Sequence, residues 1–115
     1  MTSIAYSVPI LPGKTEEWKR FCRELLESRR NEYEASRRRI GIKRECAYLQ
    51  QTPLGDMAVI YIEADGIARV NQSLATSDDP FDKWFRGRVL DIHGIDLTQP
   101  LPGQRPEIVF EWDAD

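Results

Sequence analysis

Ile4, Tyr6 and Val8 alternate with small or polar neighbours in "SIAYSVP", residues 3–9, the period of two that marks a short strand. "LPGK" breaks that pattern. Trp18, Phe21, Cys22, Leu25 and Leu26 then recur at helical spacing and predict one long helix from about Thr15 to Arg39, with Tyr33 extending the stripe. Glu16 and Glu17 suit its first turn, Arg37, Arg38 and Arg39 its last, and Gly41 a left-handed cap beyond it. Two strands follow, "IKRECAYLQQ" over 42–51 and "MAVIYIEA" over 57–64, the latter dense in β-branched residues. The short turn "TPLGD" between them implies an antiparallel hairpin. Ile67, Val70 and Leu74 predict a second helix from Asp65. Phe81, Trp84, Phe85, Val89 and Ile92 predict a third, opened by Asp79 and Pro80 and closed by His93 and Gly94. A proline-rich connection, "IDLTQPLPGQRP", leads to a last strand, "EIVFEW", at 107–112.

The order β-α-β-β-α-(α)-β is the split βαβ pattern. It predicts an α+β, ferredoxin-like fold over residues 1–115: one domain, a four-stranded antiparallel sheet and helices on one face. On the hairpin, Ala47, Leu49, Ala58, Ile60 and Ile62 are expected under the helices. The opposite face then carries Arg44, Cys46, Tyr48, Met57, Val59, Tyr61 and Glu63. That set is too apolar to leave wet and too polar to seal without partners for its charges. It predicts a half-wet cavity closed by a second subunit, hence a homodimer. The last strand is expected to reach toward the subunit boundary and pin the pair.

A length of 115 residues suffices for one core without metals or disulfides. With 30% charged residues and a net charge of −3, the chain lacks the basic excess of a nucleic-acid binder. Its one basic run, "SRRRIGIKR", is interleaved upstream with glutamates and reads as a solvated helix end. "MTSIAYSVPI" does not read as a signal peptide, and no stretch approaches the roughly 18 apolar residues of a membrane span. Cys22 and Cys46 fall on different elements without a CxxC, which points to a reduced, cytoplasmic protein. One histidine and scattered acids give no metal-ligand spacing, and no cofactor is expected.

The element order resembles the dimeric α/β-barrel superfamily. Within it, "PGKTEEWKRF", "GIKRECAYLQQTPLGDMAVIYIEA" and "DPFDKWFRGRVLDIHGIDL" resemble a small bacterial family of uncharacterised proteins, over nearly the whole chain. The resemblance implies two ferredoxin-like subunits packed sheet to sheet. It implies no particular activity, because the superfamily spans cofactor-free monooxygenases, haem-degrading enzymes, lactone isomerases and stress-induced proteins. Trp84 and His93 are this chain's only likeness to the haem-degrading members, whose first-strand asparagine has no counterpart in "SIAYSVP".

His93 is the one side chain whose ordinary pKa lies near neutrality. Either it ends the third helix on a terminal carbonyl or it faces the cavity as a base or donor. A helix C-terminus favours its charged form. Arg44, Tyr48 and Tyr61 can meet across the hairpin, with Arg44 pairing with Glu63 or holding a ligand carboxylate, and Tyr6 joining the same face. The ligand-binding set is therefore Tyr6, Arg44, Cys46, Tyr48 and Glu63, and His93 with Tyr61 forms the catalytic candidate. The leading expectation is a homodimer binding a small molecule on its sheet face. Alternatives are a cofactor-independent monooxygenase or isomerase acting on a small aromatic or carbonyl substrate, and a structural dimer without ligand.

Overall fold

The alternating stretches fold as strands and the periodic stretches as helices. In a computed structural model the order is β1 (Thr2–Pro9), α1 (Thr15–Leu26), α2 (Arg30–Ile40), β2 (Ile42–Thr52), β3 (Gly55–Ala64), α3 (Ile67–Thr76) and α4 (Pro80–His93). The structure describes residues 2–100 and 105–115. Helix ends follow the sequence signals closely. Asp79 accepts a hydrogen bond from the Phe81 N–H at 2.9 Å and Pro80 opens α4. Gly41 (φ 97°) and Gly94 (φ 71°) take the left-handed conformation that ends α2 and α4.

The three strands form one antiparallel sheet in the order β1-β3-β2. Ile4, Tyr6 and Val8 lie opposite Ile62, Ile60 and Ala58, which in turn lie opposite Glu45, Ala47 and Leu49. Cross-strand partners share a face, so these nine residues form the side that the helices cover. Trp18, Phe21, Phe81, Phe85 and Ile92 bury themselves against Ala58, while Ile40, Ile67 and Val70 pack on Ile62 and Ala64. Each such Ile or Phe contributes about 1.5–3 kcal/mol of transfer free energy. Phe21 and Phe81 both tilt against Trp84, with ring centroids 5.6 and 5.5 Å apart. The aromatic residues of α4 are thus core packing.

The expected long helix is two helices. "ESRR" offers no apolar side chain to hold that turn on the core, and Arg29 instead lays its guanidinium 4.1 Å from the Trp84 ring centre. No proline or glycine marks the break. The sheet has three strands among the described residues, not four. Arg105–Asp115 form no helix or strand, and Ile108, Val109, Phe110 and Trp112 are exposed. A strand needs a ladder partner, and this segment makes none, so among the described residues β1 pairs only with β3. The architecture is therefore an open α+β sheet covered by helices on one face.

Candidate functional site

The sheet separates the residues expected to form one site. By register, Arg44 lies opposite Glu63, Cys46 opposite Tyr61 and Tyr48 opposite Val59, all on the face without helices. There Tyr61 donates a hydrogen bond to Glu63 at 2.5 Å, and that bond holds the phenol above its ordinary pKa. Tyr48 is largely exposed. Tyr6 does not join them. Its partner Ile60 and its neighbours Ile4 and Val8 place it on the helix-covered side, the opposite of the expectation. The cause is the odd–even phase of β1, which already put Tyr6 with Ile4 and Val8.

His93 is also on the helix side, buried at the end of α4. Its Nδ1 donates to the carbonyl of Pro9 at 2.8 Å, since a carbonyl only accepts. The ring thus ties α4 to the end of β1 rather than to a carbonyl of its own helix. It does not meet Tyr61, so one subunit forms no His93–Tyr61 catalytic pair. Burial lowers its pKa despite the Pro9 bond, reversing the expectation of a charged imidazole. Desolvation here outweighs the hydrogen bond to Pro9.

Between sheet and helices lies a cavity of about 270 Å³. Trp18, Phe21, Leu25, Ile60 and Leu74 give it an apolar wall. Its polar wall is a network that the sequence reading missed. Arg37, only 6% exposed, donates from Nε to Glu45 Oε1 at 2.9 Å. Tyr33 donates its hydroxyl to the same oxygen. The guanidinium stacks 4.8 Å from the Tyr33 ring centre and 4.3 Å from that of Phe85. Arg37 Nη1 continues to Ser36 Oγ at 3.1 Å, which donates to Asp82 Oδ1 at 2.5 Å. Asp82 Oδ2 accepts from Ser77 and Arg39. "SRRRIGIKR" is therefore not simply a solvated end. Arg38 and Arg39 are exposed, but Arg37 shares a stripe with Tyr33, Ser36 and Ile40, at a spacing legible in the sequence.

The electrostatics follow from this packing. Burial opposes the charge of Arg37, but Glu45 and Tyr33 more than offset it and hold its pKa above the ordinary value. Burial also opposes charge on Asp82, yet hydrogen bonds from Ser36, Ser77 and Arg39 hold its carboxyl below the usual range. Desolvation, aided by Glu45, raises the Cys22 thiol to about 11 and the Tyr6 phenol to about 12. Neither is a nucleophile or base at neutral pH. Tyr6 lines the cavity. The arrangement offers hydrogen bonds inside an apolar chamber. Among the described residues no group of three His, Cys, Asp or Glu side chains is placed to hold a metal ion, and no helix is long and apolar enough to cross a membrane.

A small α+β domain with an apolar, tyrosine-lined chamber is the class that fold and site define. The chain belongs to DUF6176, a family of unknown function whose model matches residues 1–89. That match covers every strand and the chamber's polar wall and ends four residues before His93. No curated protein matches the chain.

Proposed function

We propose that this chain is a small-molecule-binding domain that works as a homodimer. The ligand occupies the helix-side chamber and presents an apolar body to Trp18, Phe21 and Leu74 and a single polar tip to Tyr6. The observation that carries this reading is a 270 Å³ cavity between sheet and helices whose largely apolar lining takes in Tyr6 beside the Arg37–Glu45 pair. Small-molecule sites are mostly apolar cavities with a few polar groups that fix the ligand's orientation. Small phenols and aromatic carboxylates have the matching shape and chemistry. The second copy covers the open face, where Met57, Val59 and Tyr61 lie beside Tyr48 and the Arg44–Glu63 pair.

A thermal-shift series with small phenols and aromatic carboxylates tests the ligand half. The expected result is a rise in Tm for the native chain that disappears in Leu74→Trp, which fills the chamber. A shift retained in Leu74→Trp, or no shift with any compound, contradicts it. Light scattering tests the dimer half, and a monomer mass at micromolar concentration contradicts that.

The open face supports a second ligand position, because Tyr61 and Glu63 are already hydrogen-bonded beside Arg44. Closed by a partner, that cluster makes a polar pocket for a carboxylate or carbonyl group.

A further inference from the structure

Two features of the fold lack partners and match each other. The first is the arm. In "EIVFEW", Ile108, Phe110 and Trp112 alternate with Glu107, Val109 and Glu111, giving one face of three bulky apolar side chains and one face with two charges. All of them are exposed, Phe110 at 86% and Trp112 at 76%. Monomeric proteins rarely leave a contiguous apolar set of this kind in water. The second feature is the outer edge of β1, which pairs only with β3. Beside it runs an open cleft of about 620 Å³ lined by Ile4, Val8, Ile67, Val70, Leu74 and Leu97.

The sheet's two edges are treated differently. The β2 edge carries Lys43, Arg44 and Glu45 at a bulge, features that blunt strand addition. "TSIAYSVP" in β1 has no charge at all. An unguarded edge next to an apolar cleft is a receiving site for a strand.

We propose that residues 107–112 of one copy add as an antiparallel strand to the β1 edge of a second copy, in reciprocal exchange. Ile108, Phe110 and Trp112 enter the cleft beside Val8, Tyr6 and Ile4. Val109 then lies opposite Ser7 on the open face, and Glu107 and Glu111 stay in solvent. The occupant is the second copy's arm rather than the chain's own. Arg105 and Pro106 already border the cleft, yet among the described residues β1 pairs only with β3. Pro106, with its fixed φ, stands immediately before the arm, and Pro100 stands at the other side of the joining segment. Exchange of an identical element between two copies is a low-cost route to a dimer. The exchange rests on the dimer half of the proposed function, and its cleft shares Tyr6, Val8, Val70 and Leu74 with the ligand chamber.

The test is a disulfide trap in the full chain, with Cys22→Ala and Cys46→Ala removing the native thiols. Ser7→Cys and Val109→Cys are added and the protein is oxidised while dilute. The expected product is a covalent dimer that requires both new cysteines and carries an inter-chain 7–109 link in mass spectrometry. A 7–109 link within monomers, or no link in a protein that light scattering shows to be dimeric, overturns the exchange and leaves the dimer standing. A monomer by light scattering overturns both. In the otherwise native chain, Phe110→Glu is expected to raise the dimer dissociation constant at least tenfold, and an unchanged constant contradicts the exchange.

Discussion

The two faces of the sheet carry nearly the same chemistry in different surroundings. On the helix side Arg37, Glu45 and Tyr33 meet in a buried cluster. On the open side Arg44, Glu63 and Tyr61 sit together in contact with solvent. Both are an arginine, a glutamate and a tyrosine on adjacent elements. What differs is water. The buried set is bonded at several atoms because each unsatisfied group would cost a full desolvation penalty. The open set makes one good hydrogen bond and leaves Tyr48 exposed. The buried cluster therefore belongs to folding as well as to the chamber, whereas the open cluster is free to meet a partner.

Stability measurements can break this contrast. The largest effect is expected from Glu45→Ala, which leaves Arg37 charged, buried and unpaired. Losing one partner of a buried pair costs about 3–5 kcal/mol, measured by urea unfolding. A loss below about 1 kcal/mol would mean that water reaches Arg37. Next is Asp82→Ala, which strands the buried Ser36 hydroxyl and removes the Ser77 and Arg39 contacts and is expected to cost about 1–3 kcal/mol, the penalty of one buried orphan.

His93 gives the third effect, through pH. Its folded pKa lies below the unfolded value, so protonation favours the unfolded chain. Its contribution is constant above the unfolded pKa of about 6.5 and is lost as pH falls from there through the folded pKa. Replacing it with Gln is expected to flatten the stability curve below about pH 6.5, and an unaltered slope there would contradict a buried neutral imidazole. Asp82 acts lower. Its depressed pKa adds stability that is lost only as pH falls below the ordinary carboxylate range. The smallest effect is expected on the open face, where Tyr61→Phe should change monomer stability by no more than about 0.5 kcal/mol. A larger loss, seen only at concentrations that favour dimers, would place Tyr61 in the subunit contact.

Much of the fold was legible in the alternation and the caps. β1, the β2–β3 hairpin, Asp79, Gly41 and Gly94 follow rules that need only neighbours in sequence. The break at Glu27–Arg29 was not legible, because the apolar stripe of α1 continues in phase into α2 and the interruption depends on Arg29 finding Trp84. The arm at 107–112 has a strand's pattern, but pattern alone does not supply a ladder. The hairpin's parity puts Arg44, Cys46, Tyr48, Val59, Tyr61 and Glu63 on one face, in agreement with the register, and the parity of β1 puts Tyr6 on the other with Ile4 and Val8. The buried network escaped notice because arginine and glutamate in a charged run are usually solvated. The spacing of Tyr33, Ser36, Arg37 and Ile40 places Arg37 on the inner stripe of α2, while its pairing with Glu45 comes only from the meeting of α2 and β2.

The measurement that tests the central claim most directly is an amide NMR titration with a small phenol or aromatic carboxylate that raises Tm. The two faces have separate reporters, Tyr6, Cys22, Tyr33 and Leu74 for the chamber and Arg44, Tyr48 and Gln50 for the open sheet. Saturable shifts concentrated at the chamber residues and weakened in Tyr6→Phe are the predicted result. Shifts confined to Arg44, Tyr48 and their neighbours would move the ligand to the open face and contradict the chamber as the binding site.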